Sequence, residues 1–541
     1  MTITDQTTPT TDRAGLEVVG RSTELPATLT DELRARLTAQ VSASGTAATV
    51  TTRAPFSGVT IAELPQSSPD DVTAAAERAS AAQRRWAARP VQERAAIVLK
   101  LHDLVLDERE LLMDLIQAEN GKARRDAFLE VGDIANTCRY YARTAASVLA
   151  PAPRTGLIPG LTSVHELHQP RGVVTVISPW NYPLSLAAGD SIPALLAGNA
   201  VLQKADNQTA LTALAALDLA RRAGIPEDLW QVVLGRGSNI GDELLDAADY
   251  VMFTGSTESG RHIATEAGRR LVDCSLELGG KNAMVVLDDA DLDRAAEGAV
   301  RACFSSSGQL CISIERMYVQ DSVHDDFVGR FLAGVAAMDM GPAFDFSTQM
   351  GTLTSTEQLE VVQRHVDDAV SKGATLLAGG RARPDLGPYF FEPTVLTDVD
   401  ESMECFAEET FGPLVSIYRV GSDEEAVERA NATRYGLNAS VWSRSARRGR
   451  EVAARLRAGT VNVNEAYAAA WGSIDAPMGG MGDSGLGRRH GAGGLLKYTE
   501  SQTIARQRLF NLAPPIARLG DDGFAAVMTT ALRLMKRAGW R

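Results

Sequence analysis

From residue 173 onward, short β-branched runs alternate with helical stretches, and this alternation limits the chain to few folds. Val173-Val174-Thr175-Val176-Ile177 is apolar throughout and closed by Ser178-Pro179, as expected of a strand covered on both faces. Strands at 200–204, 231–234 and 250–254 follow, with a helix at 208–224 among them. Parallel strands joined through helices cross over right-handedly, so the pattern predicts a doubly wound parallel sheet. A second alternating block runs from Asn282-Ala283-Met284-Val285-Val286-Leu287 to about residue 480. Its helices are expected near 291–307, 322–337 and 356–372, and its strands near 316–320, 375–378 and 414–418. Two such blocks in series predict two α/β domains with a cleft between them. Upstream, Ala/Leu/Arg-rich helices are expected over 70–88, 91–118 and 123–149, preceded by a flexible N-terminal arm over residues 1–45.

Composition narrows the function. A net charge of −14 argues against a nucleic-acid surface, which needs clustered Lys and Arg. The five cysteines (Cys138, Cys274, Cys303, Cys311, Cys405) include no CxxC pair, and the seven histidines show no metal-binding spacing. No metal and no disulfide framework are expected. No apolar stretch approaches the roughly 20 residues of a membrane span. The first residues lack a basic start followed by an apolar run, so a cytoplasmic location is expected.

Four motifs carry chemistry. In Ser306-Ser307-Gly308-Gln309-Leu310-Cys311 a cysteine follows a small-residue turn, where a thiol can be presented to an electrophile. In Leu276-Glu277-Leu278-Gly279-Gly280-Lys281 a carboxylate ends an apolar strand. It suits a general base raised toward neutrality by burial, although a cap is the alternative. Pro179-Trp180-Asn181-Tyr182-Pro183 holds an amide between two prolines, as an oxyanion donor or simply as a rigid turn. Phe253-Thr254-Gly255-Ser256 leads from a strand into a helix whose N-terminal amides suit a pyrophosphate, a weak signal by itself.

Together these motifs resemble the aldehyde dehydrogenase superfamily. The Trp180-Asn181 pair, the FTGS turn, ELGGK, GQxC, Glu408-Glu409-Thr410-Phe411-Gly412-Pro413, Pro477-Met478-Gly479-Gly480 and Ser484-Gly485-Leu486-Gly487-Arg488 occur in the family's order, over about residues 50–505. The resemblance implies a dinucleotide-binding domain from 46–151 and 168–277, a catalytic domain over 278–488, and β oligomerisation segments at 152–167 and 489–506. Cys311 would be the nucleophile, Asn181 and the Cys311 amide the oxyanion hole, and Glu277 the base that hydrolyses the thioester. Trp180, Asn181, Lys204, Asn207, Gly255, Ser256, Leu278, Glu409 and Phe411 would hold the cofactor.

Where NAD-preferring members carry a glutamate, this chain has Asn207, which removes a charge repelling a 2′-phosphate; NADP is therefore expected to serve at least as well as NAD. The resemblance is strongest to actinobacterial succinate-semialdehyde dehydrogenases, which implies oxidation of succinate semialdehyde to succinate. Such enzymes hold the distal carboxylate with arginines at the positions of Gly189 and Ser305. Their absence makes an uncharged aromatic or medium-chain aldehyde the alternative, unless another base such as Arg301 reaches in. Release of the thioester to coenzyme A is disfavoured by Glu277. A non-catalytic binding paralogue is disfavoured because both Cys311 and Glu277 are present. A homodimer or homotetramer is implied. Residues 507–541 form an extension in which Phe524, Val527, Met528, Ala531, Leu532 and Met535 follow helical spacing beside Arg533, Lys536, Arg537 and Arg541. This helix is expected to dock on its own subunit or a neighbour, with peripheral membrane contact as the alternative.

Overall fold

The computed structural model describes residues 24–45, 47–156, 162–508 and 520–540. Its centre is two parallel sheets. Among the described residues, one sheet has six strands in the order Gly485–Leu486, Cys274–Glu277, Tyr250–Thr254, Val173–Ile177, Ala200–Lys204, Trp230–Val233. All neighbours in it are parallel except Gly485–Leu486, which runs antiparallel to Cys274–Glu277. The strands at 173–177 and 250–254 are adjacent, and the chain leaves them toward opposite edges. That reversal opens a crevice at their carboxyl ends, the usual ligand position in such sheets.

The second sheet has seven strands in the order Thr375–Ala378, Thr394–Thr397, Leu414–Val420, Ile314–Gln320, Asn282–Val286, Asn438–Trp442, Thr460–Val463. Only its first pair is antiparallel. The strand Asn438–Trp442 is wholly buried but reads Asn-Ala-Ser-Val-Trp, without a β-branched run, so periodicity did not reveal it. A separate three-stranded sheet pairs Thr499–Gln507 with Thr162–Pro170 and that strand with Ala152–Arg154.

Several sequence expectations are corrected. The helix expected over 91–118 is two helices, Val91–Asp107 and Arg109–Asn120, broken at Glu108. The break re-aims the chain so that every residue from Leu112 to Asn120 is buried. Residues 24–45 are not a flexible arm. Thr30 caps the helix Asp31–Thr38, Leu29 and Leu37 enter the core, and Val41 bridges to Val232. The remainder of the expected arm, residues 1–23, lies outside the described residues. Gly485–Leu486 joins the first sheet rather than the block at 278–488, and 489–506 begins with the short helix Gly491–Leu496 before its strand. The C-terminal helix spans Gly520–Arg537, and none of its residues is fully buried. Among the described residues no helix is long and apolar enough to cross a membrane.

Glu119 shows how buried polar ends are satisfied. The helix Ala210–Ala223 has no side-chain cap of its own. Glu119, fully buried, accepts hydrogen bonds from the amides of Leu211 (2.7 Å) and Thr212 (2.8 Å) and from the Thr212 hydroxyl (2.7 Å). A carboxyl from another helix therefore satisfies amides at the start of the helix.

Candidate active site

The elements that place the site are strand ends and the turns after them. Trp180 and Asn181 follow Val173–Ile177, Lys204 ends Ala200–Lys204, Gly255 and Ser256 follow Tyr250–Thr254, and Glu277 ends Cys274–Glu277. Cys311 comes from the other side, three residues before Ile314–Gln320.

Cys311 is presented by strained backbone. Ser306, Ser307 and Gly308 lie consecutively in the left-handed region, with φ of 54°, 56° and 71°. A Cβ on Gly308 would stand 2.1 Å from the Gly412 carbonyl, so glycine is required there. The turn is fixed from several directions. Asp126 accepts from the Ser306 amide at 2.8 Å, and buried Gln309 accepts from the Thr354 amide at 2.9 Å. Asn282 donates to the Cys311 and Ser313 carbonyls at 2.8 and 2.7 Å.

The Asn181 side-chain amide donates to the Gln309 carbonyl at 3.1 Å, which brings it beside the nucleophile turn. Behind it lies a buried ion pair that sequence reasoning missed. Lys122 Nζ meets Glu130 at 2.7 Å with both side chains fully buried, and donates to the Asn181 carbonyl at 2.6 Å. Glu130 in turn accepts from the amides of Leu184 (2.9 Å) and Ser185 (3.1 Å). A second buried pair, Lys281–Glu315 at 2.5 Å, serves the opposite wall. Glu315 accepts from the Thr410 and Phe411 amides at 3.0 and 2.9 Å, fixing the loop that carries Glu409. Glu409 accepts from the Gly280 amide at 2.7 Å, and a Cβ on Gly279 would collide with its carboxylate. Phe411 and Trp180 meet edge-to-face, ring centres 5.6 Å apart. Lys281 lay inside a motif already noted; nothing local marked Lys122, Glu130 or Glu315.

The site's acids are unusual. Burial pushes the Glu277 carboxyl up to about 7, moderated by the charges of Arg489 and Lys497. Its Oε1 is buried without a hydrogen-bond partner among the described residues, which leaves it free to take a proton. Desolvation, with the charges of Glu409 and Glu277, pushes the Cys311 thiol up to about 12, so the sulfur rests protonated.

The segments expected to hold a dinucleotide suit one. Asn207 donates to Gln66 at 3.0 Å, while its Oδ1 is buried without a partner among the described residues, an acceptor suited to a ribose hydroxyl. Ser256 caps the helix Thr257–Arg269 at the crevice mouth, where helix amides favour phosphate. Leu278 packs into the gap left by Gly260 of that helix. Arg301 does not serve the site, because it pairs with Glu465 and is half exposed.

A cysteine on a strained turn, a buried glutamate at a strand end and an asparagine amide bonded to that turn, set at the carboxyl ends of a dinucleotide-type sheet, fit an aldehyde-oxidising class of protein. The aldehyde dehydrogenase family profile matches residues 41–504, and the chain belongs to that family. It is 55% identical over 485 residues to a protein of Mycobacterium ulcerans provisionally named succinate-semialdehyde dehydrogenase (NADP+) 2, covering 89% of this chain and 94% of that one. It is 38% identical over 452 residues to the succinate-semialdehyde dehydrogenase (NADP+) of Deinococcus radiodurans, covering 83% and 93%. The crystal structure of betaine aldehyde dehydrogenase from Staphylococcus aureus in complex with NAD+ superposes with a TM-score of 0.82 at 31% identity, covering 89% of this chain and 100% of that chain.

Removing one partner of a buried ion pair leaves a stranded charge, at a cost of about 3–5 kcal/mol. Lys122→Met and Glu130→Gln are each expected to lower stability by about that amount in urea unfolding. The Lys122→Met/Glu130→Leu double variant should lose less than the sum.

Proposed function

We propose that this chain oxidises succinate semialdehyde to succinate with NADP, through a thioester on Cys311. The reading is carried by the convergence of Cys311, Glu277 and Asn181 on one cleft, and it is supported by the names of the relatives. Cys311 gives up its proton to solvent water as its sulfur bonds to the aldehyde carbon. The Asn181 amide and the Cys311 backbone N–H donate to the resulting oxyanion. The bound nicotinamide cofactor supplies the hydride acceptor. Glu277 then takes a proton from water as that water attacks the thioester, and the free acid leaves with the thiol regenerated. Trp180, Lys204, Asn207, Gly255, Ser256, Leu278, Glu409 and Phe411 are the residues that hold the cofactor in this reading.

We also propose a homo-oligomer. The strand Thr499–Gln507 is exposed from Glu500 to Arg506 at the edge of its sheet, an arrangement that invites pairing with another chain. The C-terminal helix turns Val527, Leu532 and Leu534 to solvent near Arg533, Lys536 and Arg537, and a second copy of a chain of net charge −14 offers an acidic surface for it.

Several outcomes test these readings. Cys311→Ser should abolish turnover. Glu277→Gln should retain the first hydride burst, accumulate acyl-enzyme visible by mass spectrometry, and turn over roughly 100–1,000-fold more slowly. Because Glu277 acts when ionised, activity should rise with pH through about 7, and that limb should vanish in the glutamine variant. Steady-state kinetics should show NADP used at least as well as NAD, with Asn207→Glu shifting preference toward NAD by roughly tenfold or more through repulsion of the 2′-phosphate. Truncation after residue 508 should reduce the oligomer's mass or stability in analytical ultracentrifugation; liposome pelleting that depends on the helix would instead favour a membrane role.

A further inference from the structure

Arg489 is a cation at the edge of the site that the chemistry above does not use. Its Nη2 lies 2.8 Å from Asp190 Oδ2, and its side chain keeps 12% of its surface open. The contact is one of charge rather than aligned donation, since Asp190 Oδ2 has no hydrogen-bond partner among the described residues. Asp190 is already served on its other oxygen, by Lys497 Nζ at 3.2 Å and the Tyr498 hydroxyl at 2.9 Å. One carboxylate thus faces two cations, and Glu277 and Asp133 are further acids near Arg489. Lys497 is committed, with its ammonium also 3.4 Å from Met252 Sδ. Arg489 has donors to spare.

The Arg489 guanidinium is felt both at the Glu277 carboxyl and at the Cys311 thiol. The other charged group facing it is Asp133, which burial pushes up to about 6 and which Arg489 opposes.

Gly189 completes the arrangement. It lies in the helix Pro183–Leu196, which begins two residues after Asn181, and it is the one residue of that helix that is not buried. A Cβ at Gly189 would stand 3.1 Å from Arg489 Nη2, tight enough that the guanidinium would have to yield. The guanidinium therefore occupies the space beside position 189.

We propose that Arg489 is the specificity residue that binds the distal carboxylate of an anionic aldehyde, reaching the pocket from the C-terminal segment because Gly189 leaves the space open. The inference rests on the succinate-semialdehyde reading above. An added anion beside Glu277, Glu409 and Asp190 needs a cation with unused donors, and Arg489 supplies it. Arg301, the base considered from sequence, is held elsewhere by Glu465.

The test compares kcat/KM for succinate semialdehyde and for butanal, which has the same carbon count without the carboxylate, in the full-length wild type and three variants. Arg489→Gln should lower the ratio of the two roughly 100-fold, mainly through KM for the anionic aldehyde, because a site built for a charged partner discriminates strongly once that partner is lost. Arg489→Lys should recover part of the ratio. Gly189→Leu leaves the arginine in the chain but fills its space, and should lower the ratio as well; it keeps the test open should the glutamine variant fail to fold. If the variants lose activity on both aldehydes in equal proportion, or keep the wild-type ratio, Arg489 is not the carboxylate's partner. A wild type that shows no preference for succinate semialdehyde over butanal would instead defeat the underlying substrate reading.

Discussion

Two buried ion pairs hold the walls of the active cleft. Lys122–Glu130 sits behind the Asn181 turn and Lys281–Glu315 behind the Glu409 loop, each pair nearly sealed from water. Neither is an economical way to stabilise a fold, since desolvation of both charges offsets most of their attraction. Their value is directional. Each pair spends its remaining hydrogen bonds on backbone groups of one loop: the Asn181 carbonyl and the Leu184 and Ser185 amides on one side, the Thr410 and Phe411 amides on the other. Both loops are fixed by charge, so Asn181 and Glu409, the oxyanion donor and cofactor clamp of the proposed mechanism, are held in place by the fold itself.

The same low-dielectric environment sets the acid–base chemistry. A thiol pushed up to about 12 is a poor nucleophile at rest, while a carboxyl near 7 is half ready to accept a proton. In the proposed mechanism, activation of sulfur is thereby tied to loss of its proton during attack rather than to a standing thiolate. A neutral thiol is also less exposed to adventitious oxidation, because susceptibility follows thiolate character. Arg489 and Lys497 keep the burial of Glu277 from raising it further, so the cations that surround Asp190 also set the working range of the base.

The backbone around the nucleophile carries the strain that this arrangement requires. Three consecutive left-handed residues precede Gln309, and Phe411 across the cleft also has positive φ, at 52°. Such conformations persist where surrounding contacts overdetermine them. Here the contacts are Asp126 on Ser306, Gln309 on Thr354, and the backbone of Gly412 packed against Gly308.

The alternation of β-branched runs and helices determined the two parallel sheets, because strand and helix periods are written locally in the chain. Cys311, Glu277 and Asn181 were legible for a similar reason: each lies in a short motif whose residue types are odd for a plain strand or turn. The pairings that hold them were not legible. Lys122 and Glu130 lie eight residues apart in an unremarkable helical region, and only tertiary packing turns them toward a loop some 50 residues downstream. The joining of Gly485–Leu486 to the first sheet, and the folding of residues 24–45 onto the Val232 strand, were likewise decided by distant partners. Arg489 marks the same boundary. Sequence registered the missing arginine at Gly189, but only the folded chain brings a guanidinium from 300 residues away into the space that the glycine leaves.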